Sequence, residues 1–223
     1  MNRGERADEF YTRWAFLYDF LARRTPGIAR LRCQTVAALR PPESGTVVEM
    51  GCGPGPNLPY LRKEVGPSGS IVGIDIARGA LRRAHRRIVR RRWGNVHILC
   101  ADATRPPIDA VDAVFAMFVV GMFDSPGDVV DEWCDTIGPG GRIGLVHFAK
   151  SDRWHAGLSN AVLDLLIVAS TPGSLRFRRS ASSTLDRRVS EAHETLETRC
   201  IEHSSHTTWG GLIHVHVGTV GKH

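Results

Sequence analysis

Several absences narrow the chemistry open to this chain. Its five cysteines, Cys33, Cys52, Cys100, Cys134 and Cys200, are scattered and form no Cys-x-x-Cys pair. An odd set of isolated thiols excludes a disulfide framework or a zinc knuckle and fits a reducing compartment. No run of about 18 apolar residues occurs, so no transmembrane helix is expected. The most apolar stretch, 110–123, is short and carries Asp112. The opening "MNRGERADEF" lacks the apolar core of a signal peptide, and a cytoplasmic location is expected. No internal repeat is found. What remains is an ordinary globular composition, 42% hydrophobic and 23% charged over 223 residues, enough for one domain with a complete core.

The pattern along the chain is strand–loop–helix, repeated. Apolar strands are expected at Thr46–Met50, Ser70–Ile74 (running into Asp75), Val96–Cys100, Asp112–Met117 and Arg142–Phe148. Helices are expected at 9–23, Ile28–Leu39, Pro59–Val65, the arginine-rich segment from 78 and Pro126–Ile137. Such alternation predicts a parallel sheet with helices on both faces, whose ligands sit beyond the carboxyl ends of the strands. The polar segment "SLRFRRSASSTLDRR" (174–188) reads as a surface connection. Residues 198–220 read as two strands around Trp209-Gly210-Gly211, an antiparallel hairpin.

The glycine loop "VVEMGCGPGPNL" (47–58) is the most informative stretch. A dinucleotide fingerprint requires Gly-x-Gly-x-x-Gly, but Pro56 stands at the third position. A phosphate loop requires a Gly-Lys-Ser/Thr tail, and none is present. Glu49 beside the loop would repel a pyrophosphate and attract an ammonium group. Asp75 ends the second strand, where a carboxylate can accept both ribose hydroxyls. Asp102, in "CADA" after the third strand, can accept from an adenine amine. An adenosine with a cationic amino-acid tail and no phosphate satisfies all three, which points to S-adenosylmethionine.

With these residues in hand, the sequence resembles the class I S-adenosylmethionine-dependent methyltransferases. The resemblance rests on "VVEMGCGPG" (47–55), "IVGIDIA" (71–77), "ILCADA" (98–103), "DAVFAMFVV" (112–120) and "IGPGGRI" (137–143), in that order over about 46–150. Within that superfamily, "YTRWAFLYD" (11–19) resembles the opening of the branch containing the ubiquinone/menaquinone methyltransferases, with Thr12 where that opening usually has aspartate. The resemblance implies a Rossmann-like α/β sandwich whose seven-stranded sheet runs 3-2-1-4-5-7-6 with strand 7 antiparallel. It implies one domain over 1–223, with a helical lid in 1–40 and substrate-side helices plus the hairpin in 151–223. By the same resemblance Gly51, Gly53 and Gly55 approach the methionine part, and Glu49 lies near its amine. Asp75 holds the ribose with Ile76 against the adenine, and Asp102 and the Ala103 N–H read the adenine edge. Phe118 lies near the sulfonium end, and Tyr11 and Tyr18 close over the cofactor, which leaves as S-adenosylhomocysteine.

Methyl transfer from a sulfonium is an in-line displacement that positioning alone can accelerate strongly. A base is needed only where the nucleophile must lose a proton. His147, ending the fifth strand, is the candidate, with His155 and Asp124 behind it. His203, His206, His214 and His216 crowd the terminal hairpin. Their alternation with Ile213, Val215 and Val217 reads as a half-buried strand, and no metal site is expected.

The acceptor class is read from the segment after the fourth strand. "AMFVVGMF" (116–123) lacks the Asn/Asp-Pro-Pro-aromatic motif of nucleic-acid amino-methyltransferases, and no Pro-Cys of the cytosine-C5 enzymes occurs anywhere. Cys134, beside Trp133, reads as packed. A small lipophilic or aromatic, quinone-like acceptor is expected. The net charge of +6 is concentrated in "RGALRRAHRRIVRRRW" (78–93), which holds eight arginines. Ala77, Leu81, Ala84 and Ile88 form its buried stripe, leaving Arg82, Arg83, Arg86, Arg87 and Arg90 largely outside it. That face reads first as solvated, and otherwise as a contact for an anionic membrane or a polyanion. An RNA or protein methyltransferase docking through this helix, and a non-catalytic cofactor-binding subunit, remain alternatives.

Overall fold

A computed structural model describes residues 27–148, Gly157 and 175–222, with side chains in the last helix described from Leu185 onward. The segment 9–23, with Tyr11 and Tyr18, and His155 lie outside the described residues. The elements in chain order are α1 (Ile28–Leu39), β1 (Thr46–Met50), α2 (Leu58–Val65), β2 (Ser70–Asp75), α3 (Arg78–Arg91), β3 (Val96–Cys100) and β4 (Ala113–Met117). Then come α4 (Pro126–Ile137), β5 (Arg142–Phe148), α5 (Leu175–Arg199), β6 (Cys200–Thr208) and β7 (Ile213–Val220).

The strands form one seven-stranded sheet of order β3-β2-β1-β4-β5-β7-β6. β1 to β5 pair in parallel, and β7 runs antiparallel to both β5 and β6. This is the expected Rossmann-like order. The physical basis is visible in the alternation of successive strand residues. Val47, Ala113 and Phe115 face a core shared with α1, α2 and α3, whereas Val48, Met50, Val114 and Ala116 face a core shared with α4 and α5. With both faces covered, the inner strands read as unbroken apolar runs rather than as alternating ones.

Leu175–Arg199 is a helix, not the surface connection read from its serines and arginines. Its buried positions Val189, Ala192 and Leu196 are spaced three and four apart; Ala192 and Leu196 join the core shared with α4, and Val189 lies beside Gly121. The segment contains no glycine or proline to break the helix, and three apolar side chains anchor it where a denser stripe would have announced it. Arg199 at its end reaches both Asp131 and Asp135 of α4.

Trp133 of α4 is fully buried, and its indole N–H donates to the carbonyl of Ala103 at 2.7 Å. This bond fixes the loop after β3 against the helix layer, and Cys134 beside it is packed as expected. Trp133→Phe keeps the packing but leaves that carbonyl without its donor. It should cost about 1–3 kcal/mol of stability, read from the midpoint of urea unfolding.

Candidate active site

The carboxyl ends of β1, β2, β3 and β4 bring the expected residues to one edge of the sheet. The glycine loop after β1 is held tightly from below. Cys52 N–H donates to the Ile74 carbonyl and Gly55 N–H to the Cys52 carbonyl, both at 2.9 Å. Gly55 has φ +70°, and a Cβ there would come within 2.4 Å of Leu58 Cδ1, so only glycine lets α2 pack this close. Gly53 differs: its φ is +53°, yet the nearest atom to an added Cβ is Asp75 Oδ2 at 4.0 Å. The loop is closed toward the core and open above Gly53.

Glu49 is 2% exposed at the end of β1. Its Oε1 accepts from Asn57 Nδ2 at 2.7 Å, and Asn57 Oδ1 accepts from Arg32 Nε at 2.8 Å. Its Oε2 is buried with no hydrogen-bond partner among the described residues. Burial pushes the Glu49 carboxyl up to about 8, against the opposing pull of the Asn57 hydrogen bond and the Arg32 charge. Asn57 occupies the residue before α2 but makes no cap, because its amide is turned to Glu49.

Asp75 turns its carboxylate inward. Oδ2 accepts from Gly53 N–H and Oδ1 from Ala77 N–H, each at 2.7 Å. Burial raises its pKa, partly offset by these two backbone bonds. A carboxylate oxygen has two acceptor positions, so each retains one for a further donor. Next to it Ile76 is 51% exposed, an apolar side chain open at the strand edge. Asp102 is exposed and spends Oδ1 on the Thr104 N–H and hydroxyl, both at 2.9 Å. The Ala103 carbonyl takes the Trp133 bond.

Phe118 follows β4 with φ +63°, a left-handed conformation costing a non-glycine residue about 1–3 kcal/mol. Its ring stacks on Phe148 at 4.2 Å between centroids and 11° between planes. The stack recovers part of that cost, and both rings are half-buried against the core at the strand ends.

An S-adenosylmethionine cofactor fits these residues. The unpartnered Glu49 oxygen suits an ammonium group, and the open side of Gly53 gives backbone access. The spare acceptors of Asp75 suit a ribose, exposed Ile76 an adenine face, and Asp102 with the Ala103 N–H an adenine edge.

His147, the expected base, is buried rather than open to the site. It ends β5, but it is 4% exposed, and burial with the neighbouring His214 and His193 pulls its pKa down to about 3. Asp124 is instead taken by Arg188.

Three contacts were not foreseen from the sequence. Arg87, assigned to the outer face of α3, donates to the Gly55 carbonyl at 2.8 Å. Arg32 and Asn57 form the buried chain to Glu49. His193 of α5 and His147 of β5 join His203, His214 and His216 in one cluster, while His206 is exposed on the other face of β6. The first could be found in the helix pitch, since Arg87 borders the Ala84–Ile88 stripe; the others are tertiary and leave no local pattern.

Comparison with known proteins agrees with this geometry. Residues 47–141 match the family model described as a methyltransferase domain. The phosphatidylethanolamine N-methyltransferase of Cereibacter sphaeroides is 32% identical over 156 residues, 68% of this chain and 73% of that protein. The ubiquinone/menaquinone biosynthesis C-methyltransferase UbiE of Geobacter sulfurreducens is 26% identical over 152 residues, 66% of this chain and 59% of that one. A solved SAM-dependent methyltransferase from Aquifex aeolicus superposes with TM-score 0.62 at 20% identity, covering 87% of this chain and 93% of that one. The chain spans from 28% to 73% of the length of these and other curated relatives it matches. It belongs to the class I S-adenosylmethionine-dependent methyltransferases, and S-adenosylmethionine is its cofactor.

Two predictions concern the cofactor side. Asp75→Ala should weaken S-adenosylhomocysteine binding by about 1–3 kcal/mol, measured by calorimetry. Glu49 is protonated in the free protein at neutral pH, because its folded pKa of about 8 lies above the ordinary carboxyl value. Its contribution to stability is therefore full at low pH and is lost as pH rises from about 4 toward 8. Glu49→Gln should flatten that slope. Binding of the amine should also expel about one proton near pH 7, read as a buffer-dependent enthalpy that Glu49→Gln abolishes.

Proposed function

We propose that the protein methylates a small lipophilic or aromatic acceptor presented against the Phe118–Phe148 wall. The stacked pair, with Phe118 held at φ +63°, carries this reading. A flat apolar wall at the end of β4 suits a quinone-like ring or an acyl-bearing molecule and gives nothing to the amine of a nucleobase.

The residue roles follow from this placement. Gly51, Gly53 and Gly55 give the methionine part backbone access, and Glu49 faces its ammonium group. Asp75 takes the ribose hydroxyls, Ile76 lies on the adenine, and Asp102 and Ala103 hold the adenine edge. Phe118 bounds the sulfonium end. The sulfonium, when bound, supplies an already activated methyl group and leaves as a neutral thioether. The chain's own contribution is alignment and exclusion of water, which can account for much of the rate without a strong base. An acceptor that carries a proton gives it up after attack to solvent or to its own basic group.

A second feature supports an acceptor taken from a membrane surface. On α3, Arg82, Arg86 and Arg90 are exposed around Val89, which is 60% exposed. An apolar side chain ringed by arginines is the pattern of a helix face lying on anionic headgroups. The two relatives that match about two thirds of this chain carry names with lipid-soluble acceptors, phosphatidylethanolamine and ubiquinone/menaquinone. Among the described residues no helix is long and apolar enough to cross a membrane, so such contact would be peripheral.

The test uses S-adenosylmethionine carrying a labelled methyl group with lipid extract, RNA and protein offered together. Label is expected in the solvent-extractable lipid fraction. Label in RNA or protein would overturn the reading, and binding without any transfer would favour a non-catalytic subunit. Replacing Arg82 and Arg86 with glutamine should weaken binding to phosphatidylglycerol vesicles by about 2 kcal/mol, roughly thirtyfold. Binding to phosphatidylcholine vesicles should not change.

A further inference from the structure

The sheet edge beyond β5 carries a histidine cluster that the methyl-transfer reading does not use. β5 and β7 pair so that His147 stands directly opposite His214, and His216 lies two residues along β7 on the same face. β6 adds His203, in register with Gly218 on that face, and α5 covers it with His193. His147 and His216 are stacked at 5.0 Å and 9°, and His147 and His214 lie 5.6 Å apart.

Imidazoles can pack simply as flat rings, but these leave polar atoms stranded. His147 Nδ1, His193 Nε2 and His216 Nε2 are buried without a hydrogen-bond partner among the described residues, and of these His193 Nε2 has Glu197 Oε1 3.3 Å away. A buried unpaired ring nitrogen costs about 1–3 kcal/mol, and two side by side need a reason. One nitrogen from each of His147, His214 and His216 lies within 4.8 Å of the others. A tetrahedral ion with bonds of about 2.0–2.1 Å places its nitrogens about 3.3 Å apart. Closing that gap requires each nitrogen to move inward by about 1 Å and the nearly parallel rings of His147 and His216 to tilt toward a shared point.

The outer contacts select this trio over the alternative of His193, His203 and His216. His214 Nε2 lies 3.2 Å from the Gly211 carbonyl and donates to it, which leaves the Nδ1 lone pair for a ligand bond. His216 Nδ1 lies 3.4 Å from His203 Nε2, and His203 Nδ1 lies 3.8 Å from Glu197 Oε1. A proton on His216 Nδ1 thus points to His203, whose own proton points toward a carboxylate. That relay leaves His216 Nε2 as the bare donor. Metal-binding histidines characteristically give their other ring N–H to a carbonyl or carboxylate in this way.

We propose that His147, His214 and His216 bind a divalent transition metal ion of the zinc class, with His203 orienting His216 from outside the coordination sphere. An all-imidazole donor set favours zinc, nickel or copper over magnesium or calcium. Three nitrogens leave a fourth position open to water or another ligand. The proposal does not depend on the acceptor reading.

The test uses the full chain, stripped with chelator and titrated with ZnCl2 by calorimetry and with CoCl2 by visible absorption. One tight ion per chain is expected, with the intense bands of a four-coordinate cobalt site. His147→Phe and His216→Phe should each lower affinity at least a hundredfold, and His203→Ala about ten- to a hundredfold. His193→Ala should change it less than threefold. Circular dichroism and S-adenosylhomocysteine binding report whether each variant is folded. If His216→Phe does not fold, His214→Asn gives the same reading. Absence of a tight site in the wild type would overturn the proposal. So would unchanged affinity in the His147 variant, or loss confined to the His193 and His203 variants.

Discussion

A carboxyl group buried at the end of the first strand constrains much of the surrounding structure. Glu49 has almost no contact with solvent, so its first oxygen must be satisfied from within the protein. Asn57 does this only by giving up the cap of α2, and Asn57 in turn depends on Arg32 reaching down from α1. One polar chain thereby ties α1, the glycine loop and β1 together. It also leaves the second carboxyl oxygen facing the loop without a partner, a cost near that of any unpaired buried polar atom, about 1–3 kcal/mol. A group that cationic ligands can stabilise is built into the free protein as a destabilised one.

The same exchange of stability for readiness recurs along the strand ends. Asp75 pins Gly53 and the start of α3 while keeping acceptor capacity. Phe118 tolerates a left-handed backbone and recovers part of that cost by stacking on Phe148. Ile76 stays in water at the rim of the sheet. Each is locally unfavourable or wasteful in a domain that only needed to fold.

Much of this was legible from local pattern. β1, β3, β5, α1 and α4 occur over the residues their apolar runs and terminating glycines and prolines indicate, because burial on both faces of a parallel sheet leaves little freedom in composition. The glycine spacing and the acids after β1, β2 and β3 likewise announce themselves at fixed offsets. The misses share one cause. Among its described side chains α5 buries Val189, Ala192 and Leu196, a sparse stripe among serines and arginines. Arg32, Asn57 and Glu49 meet across three separate segments. His147 stands at a strand end, and the burial that the packing of α5, His214 and His216 imposes on it leaves no local pattern. Sequence order reports which element a residue belongs to, but not which other elements will close over it.

The place of β7 has a consequence for how the chain is made. β7 fills the gap between β5 and β6, although it is translated after both. Until Ile213–Val220 leaves the ribosome, the outer edge of β5 has no antiparallel neighbour, while β1 to β5 can already pair. The nascent chain therefore passes through a stage with an open edge strand, the surface most prone to pairing with another molecule. Phe148 and His147 lie at the end of that exposed edge, so the wall assigned to the acceptor and the histidine cluster are among the last features to be completed during synthesis.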